Sequence, residues 1–237
     1  MRHYYFSKKT LADVKEMTIN LFGLKPYQLL DKVKSLLVST GFMPKEKVKT
    51  TEQLSDFISS NSAYVSQVTL YSYVKARAGI NFPKLFSNEE YLTSLKIARW
   101  HIFGAAVCDL TLFSVAQLVV NERLDPDQGR QLASKILNEI LIGYPQKDVE
   151  ASTFSEMCFR GEQRAKIADW QEIVTGPNAF QSSSDAVFKW APIADELKVN
   201  DEEIVRNSIH LRWIGVRREA KELIDTKSII EKMNICS

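Results

Sequence analysis

Cysteine and histidine are scarce in this chain, which has three of each among 237 residues. The cysteines, at positions 108, 158 and 236, are odd in number and widely spaced, which disfavours a disulfide framework and favours a reducing compartment. The N-terminal sequence MRHYYFSKKTL lacks the continuous apolar segment that a signal peptide needs. We therefore expect a cytoplasmic protein. We also expect no metal site, because so few scattered ligands rarely form one.

The sequence also lacks the motifs of common enzyme classes. It contains no G-x-S-x-G nucleophile elbow, P-loop, H-E-x-x-H or G-x-G-x-x-G motif. No glutamate stands three residues before His101 or His210, which excludes the di-iron bundle signature. These absences leave the catalytic residues unknown, predict no cofactor and favour a function without catalysis.

The overall charge is small, because 31 Lys and Arg residues nearly balance 29 Asp and Glu residues. A net charge of +2 gives no strong electrostatic footprint for specific nucleic-acid binding. The first fifty residues are more basic, with ten Lys and Arg against four Asp and Glu, a pattern that a solvated helix surface explains. We predict a basic N-terminal helical pair over residues 1–50, followed by a main helical domain over residues 51–237 that is one continuous globular unit.

Helix signals are dense, whereas no period-two alternation continues long enough to pair as a sheet. Helix starts are indicated by capping boxes at residues 87–90 and 200–203 and by the Asp125-Pro126 pair. A strongly polar helix is expected over residues 153–174. The sequence therefore predicts an all-α fold with a single multi-helix domain of about eight or nine helices.

One segment, from Ile102 to Val120, is apolar on every side except for Asp109 near its middle. Such a helix is surrounded either by protein or by lipid. A central aspartate costs ~2.5–3.5 kcal/mol in membrane insertion, and the flanks carry no aromatic belt. We therefore predict a buried central helix and no membrane span.

A buried carboxylate needs a partner, so Asp109 is the first candidate site residue. One interpretation is a structural ion pair; the other is a polar group in an apolar ligand pocket lined by Phe103, Leu110 and Phe113. The arginines of the polar helices are the candidate partners: Arg160, Arg164, Arg206, Arg212, Arg217 and Arg218.

His101 and Cys108 lie on the same helical stripe as Ala105, which suggests a nucleophile and its base. However, seven residues of helix separate them by about 10 Å along the axis. We therefore expect Cys108 to be a small core residue, and keep His101 as a candidate binding residue.

The C-terminal third supplies two further candidate sites. Arg206, His210, Trp213, Arg217 and Lys221 follow spacings of three or four residues. This pattern predicts a cationic and aromatic face for a carboxylate or phosphate, or else a solvated helix face.

The second candidate site is Trp190, two residues before Pro192. Its side chain is either part of a structural corner or an epitope for docking another protein. Arg212, next to Trp213 in the sequence, completes the set of candidate binding residues.

Two strings, VTLYSYVKARAG at residues 68–79 and FKWAPIADELK at residues 188–198, resemble segments of an α-proteobacterial helical family that carries the label "esterase". The likeness extends to KIARWHIFGAAVCDLTLFSVA and EEIVRNSIHLRWIGVR, so it spans roughly residues 50–220. The resemblance implies a hydrolase, but no catalytic residue can be transferred, because the chain lacks the nucleophile elbow of a serine esterase.

Taken together, the sequence favours a non-enzymatic helical binding protein, an adaptor or an assembly factor. Its expected partners are another protein or a second copy of the chain, with a small hydrophobic ligand as a further possibility. The alternative is an atypical hydrolase, or a protein for hydrophobic ligands, with its pocket around Asp109.

Overall fold

The computed structural model describes residues 46–142 and 149–235. The helices predicted within residues 1–45 lie outside the described residues. From Lys47 onward the chain forms one compact unit. The helices are α1 (Thr51–Ala78), α2 (Phe82–Leu85), α3 (Glu89–Glu122), α4 (Pro126–Ile142), α5 (Ala151–Lys166), α6 (Trp170–Thr175), α7 (Gln181–Trp190), α8 (Asp195–Lys198), α9 (Glu202–Leu223) and α10 (Thr226–Ile235). Single 3₁₀ turns occupy Gly79–Asn81 and Pro177–Phe180.

The all-α prediction is confirmed for the described residues, which contain helices and a single isolated β-bridge but no strand. The bridge joins Val48 to Ile224, where the Val48 amide donates to the Leu223 carbonyl and the Asp225 amide donates to the Val48 carbonyl, both at 2.9 Å. It attaches the segment before α1 to the end of α9.

Helix α3 is the centre of the fold and contacts α1, α4, α5, α6, α7 and α10. From residue 102 to residue 118 every side chain except that of Ala105 is buried. Among the described helices only α3 is long and apolar enough to cross a bilayer, with a mean hydropathy of 1.8, and 89% of that stretch is buried in protein. The predicted buried central helix is therefore confirmed.

Several helix boundaries differ from their predictions because local capping is decided by single hydrogen bonds. Helix α3 is capped by Asn88, whose side chain accepts from the Tyr91 amide at 3.0 Å, and not by Ser87. At α9 the cap position is Asp201, with no capping side-chain bond, so the box predicted at residues 200–203 is wrong. The start at Asp125 is confirmed, since its carboxylate accepts from the amides of Asp127 and Gln128.

The polar helix predicted over residues 153–174 is two helices. Helix α5 ends at Lys166, and Asp169 caps α6 by accepting from the Glu172 amide at 3.0 Å. The break lets α5 and α6 each pack against α3 as separate helices.

Glycine lets α5 approach its neighbours closely. A Cβ atom on Gly161 would lie 2.7 Å from Leu137 Cδ1 of α4 and 2.9 Å from Cys108 Sγ of α3. Both distances are shorter than real Cβ contacts allow, so the missing side chain sets the depth at which α5 packs. This packing carries Arg164, one turn further along α5, towards Asp109.

Candidate functional site

Asp109 is fully buried at the middle of α3, and two groups from other helices bind its carboxylate. Arg164 of α5 donates from Nη1 to Oδ1 at 2.6 Å, and the backbone amide of Ser183 in α7 donates to Oδ2 at 2.7 Å. One carboxylate therefore joins three helices. The interpretation of Asp109 as a structural ion pair agrees with this geometry, and Arg164 is the partner among the six candidates.

Asp109 also serves as a distant cap for α7. The first amides of a helix have no partner within the helix, and its N-terminus attracts negative charge. Phe180, at the cap position of α7, provides no side-chain bond to these amides. One of these amides, that of Ser183, instead donates to the carboxylate of Asp109, which lies 74 residues earlier in the chain than Ser183.

The pKa of Asp109 reflects the competition between burial and these partners. Burial raises the pKa above its ordinary value, whereas the Arg164 guanidinium and the hydrogen bonds from Ser183 oppose the rise. Burial is the largest of these effects, so the pKa of Asp109 stays above its ordinary value.

Trp213 of α9 extends this network. Its indole Nε1 donates to Ser183 Oγ at 3.0 Å, and its ring stacks on Phe180 with centroids 4.4 Å apart. Trp213 is fully buried, so it cannot take part in an exposed cationic and aromatic face. The face predicted through Arg206, His210, Trp213, Arg217 and Lys221 is therefore wrong, because this stripe of α9 crosses from the surface into the core.

The other candidates on α9 have separate surroundings. Arg217 donates to the Val174 carbonyl at 3.3 Å and lies over the Phe113 ring. Arg212 donates to the carbonyl and hydroxyl of Ser208, both at 2.7 Å, and His210 is exposed. The structure does not bring these three residues to one site.

An open groove of about 470 Å³ lies beside Asp109, between α3, α5 and α7. Its apolar floor consists of Gly104, Ala105, Cys108 and Met157. Arg164 also lines the groove, and about a third of its side chain is exposed. Of the Asp109–Arg164 pair, only Arg164 therefore lines the groove, and Asp109 lies behind it in the core. Phe103, Leu110 and Phe113, which were expected to line a pocket, are core residues exposed by 2% or less.

His101 and Trp190, predicted separately as candidate residues, meet at this groove. Their rings stack with centroids 3.4 Å apart and planes 2° from parallel. Burial lowers the pKa of His101, and the nearby charges of Arg160 and Lys189 lower it further. The imidazole is therefore neutral at pH 7, and the stacked pair provides a flat aromatic wall.

The charged side chains of the groove are mainly basic. Arg160 and Lys189 line it with Arg164, and Asp185 is the acidic lining residue. Asp185 is paired with Arg206, whose Nη1 donates to it. Lys189 has no ion-pair partner in the described part of the chain, and its Nζ lies 5.4 Å from the centre of the Trp190 ring.

Cys108 is unsuited to nucleophilic chemistry. Burial raises the pKa of its thiol to about 12, and Asp109 beside it contributes to the rise. The thiol points its hydrogen towards the Met157 carbonyl, 3.6 Å away. The prediction that Cys108 is a core residue agrees with these contacts.

Several residues of this site were not identified from the sequence. Ser183 acts through its backbone amide, which carries no sequence signal, and Lys189 belongs to no recognisable motif. No group of three His, Cys, Asp or Glu side chains that could hold a metal ion occurs within residues 46–142 and 149–235. No protein-family model, curated protein or solved structure matches the chain. The resemblance to the "esterase" family therefore stays a prediction.

Proposed function

We propose that this protein works by binding and that the groove between α3, α5 and α7 takes up a small organic anion with a flat apolar body. The observation that carries the proposal is that an apolar floor, an aromatic wall and three basic side chains surround one open groove. Ligand pockets usually have volumes of ~300–1,000 Å³ and combine apolar walls with a few placed polar groups. A volume of about 470 Å³ is in that range.

The charges support an anionic ligand. Arg160 pairs with Glu156 at 3.2 Å, but both side chains are mostly exposed, so the pair contributes little and can be exchanged for a ligand contact. Lys189 projects beside the aromatic wall. An anion between these two side chains would meet two positive charges, while Arg164 remains neutralised by Asp109.

The neutral ring of His101 and the face of Trp190 favour a flat ligand body. Stacked rings hold each other in a fixed orientation, so a planar apolar group can pack on them at a small entropic cost. The floor atoms beneath add apolar contact without a hydrogen-bonding requirement.

The alternative, an atypical hydrolase, would need an activated nucleophile. The thiol of Cys108 is protonated at neutral pH, and Asp109 is already bound by Arg164 and Ser183. These contacts favour binding over hydrolysis. An adaptor or assembly function belongs to the same binding class and could be controlled by occupancy of the groove.

The proposal is tested by titrating the full chain with 1-naphthalenesulfonate in a calorimeter. We expect saturable binding at one site. Lys189→Glu should weaken it at least about tenfold, which corresponds to 1.4 kcal/mol. Ala105→Phe should abolish it, because the new ring fills the floor of the groove.

Matched controls separate the groove from the rest of the surface. Lys75→Glu and Ala76→Phe place the same changes on an exposed part of α1 and should leave binding unchanged. Undetectable binding by the wild type, or equal binding by Lys189→Glu and wild type, would contradict the proposal.

A further inference from the structure

An apolar stripe lies on the outer surface of α9. Its members are Ile204, Leu211 and Ile214, which are 69%, 68% and 50% exposed. Spacings of seven and three residues put them on one side of the helix. The core side of the same helix is formed by Val205, Ile209, Trp213, Val216 and Ala220. Helix α9 is thus apolar on two opposite faces, although only one of them is buried.

Gly215 lies within this outer surface. It is exposed, and a Cβ atom added to it would meet nothing within 4 Å. Glycine in the middle of a helix weakens the helix, and no described residue lies close enough to Gly215 to exclude a side chain there. A glycine beside an apolar stripe lets another helix backbone come close.

The two ends of the stripe carry opposite charges. On the exposed side of the helix, Glu203 at its start is acidic, whereas Arg218 and Lys221 near its end are basic and outnumber Glu222 beside them. Glu202 lies on the other side of the helix and pairs with Arg206. Along the helix axis, Glu203 lies about 12 Å before Leu211, and Lys221 lies about 15 Å after it. A second α9 in antiparallel orientation would therefore set Glu203 against the basic end and Lys221 against the acidic end.

We propose that the outer face of α9 is the interface between two copies of this chain, packed antiparallel with Leu211 at the centre. A two-fold interface must be self-complementary, and opposite charges at the two ends of an apolar centre meet that requirement. A parallel arrangement would oppose like charges at both ends. This proposal is independent of the groove, which lies between α3, α5 and α7.

The association state of the full chain tests the proposal, measured by sedimentation equilibrium as a function of concentration. The wild type should be a dimer that dissociates on dilution. Leu211→Glu should weaken association at least about a hundredfold, because it opposes two carboxylates at the two-fold axis. Ile167→Glu, on a side chain that is 86% exposed at the end of α5, should leave the dimer intact.

Charge reversal distinguishes the antiparallel arrangement from other dimers. Glu203→Lys and Lys221→Glu should each weaken the dimer severalfold, and the doubly reversed chain should recover it. A dimer insensitive to Leu211→Glu would overturn the proposal. A chain that is monomeric at every concentration would also overturn the proposal. This holds whether the stripe is then covered by the chain's own first 45 residues or by another protein.

Discussion

Replacing Arg164 by methionine tests the central argument about Asp109. The substitution keeps an unbranched side chain of similar length but removes the guanidinium that donates to the fully buried carboxylate at 2.6 Å. Breaking a buried ion pair by removing one partner costs about 3–5 kcal/mol. Because the Ser183 amide still binds Asp109, we expect the lower end, about 3 kcal/mol at pH 7. For a chain of this size that loss lowers Tm by roughly 6–12 °C.

The effect should depend on pH in a definite direction. Burial raises the folded-state pKa of Asp109, and Arg164 is the strongest group opposing that rise. A carboxyl whose folded pKa exceeds its unfolded value binds more protons when folded, so stability increases as the pH falls through the folded pKa. Arg164→Met raises that folded pKa further. Its destabilisation should therefore be largest at neutral pH and diminish towards the unfolded pKa of about 4.

Urea unfolding followed by circular dichroism, repeated at several pH values, measures both the magnitude and the slope. Arg160→Met is the matched control, because Arg160 lies on the same helix in an exposed pair with Glu156 and should cost less than about 1 kcal/mol. Combining Asp109→Asn with Arg164→Met removes both charges and should abolish the extra pH dependence. A cost below about 1 kcal/mol for Arg164→Met, or one that grows in acid, would refute the reasoning.

Two further predictions concern the packing around the groove. Iodoacetamide at neutral pH should leave Cys108 unlabelled in the folded protein, because burial raises the pKa of its thiol to about 12. Peptide mapping by mass spectrometry measures the labelling, and rapid labelling under native conditions would contradict the prediction. Gly161→Ala should lower the free energy of unfolding by about 1–3 kcal/mol, since the new methyl group would overlap Leu137 and Cys108; an unchanged urea midpoint would show that α5 can move aside.

Local sequence patterns predicted the type of structure well, because helix periodicity and capping act over a few residues. Apolar residues on every side of the central segment, together with Asp109 within it, predicted a buried helix, and the helix from Glu89 to Glu122 confirms it. The start at Asp125 was correct for the same reason. The cap of α3 moved by one residue because Ser87 and Asn88 are both good capping residues, and only the backbone direction selects between them.

The candidate site was only partly predictable. His101, Asp109 and Trp190 were identified as separate candidates, but nothing in their spacing showed that His101 and Trp190 would stack or that a groove would form beside them. Trp213 was expected at the surface because its neighbours are charged. It lies in the core, since α9 turns that side towards Ser183.

By itself the sequence determined that the protein is helical, that its central helix is enclosed and that Asp109 must have a charged or hydrogen-bonding partner. Six arginines met that requirement equally well, because the desolvation of a carboxylate does not depend on where its partner lies in the chain. The tertiary structure determines that Arg164 is the partner of Asp109. The missing side chain of Gly161 lets α5 pack deeply against α3 and α4, and the start of α7 supplies the second donor. These contacts join residues 55 and 74 positions apart, a separation over which helix periodicity carries no information.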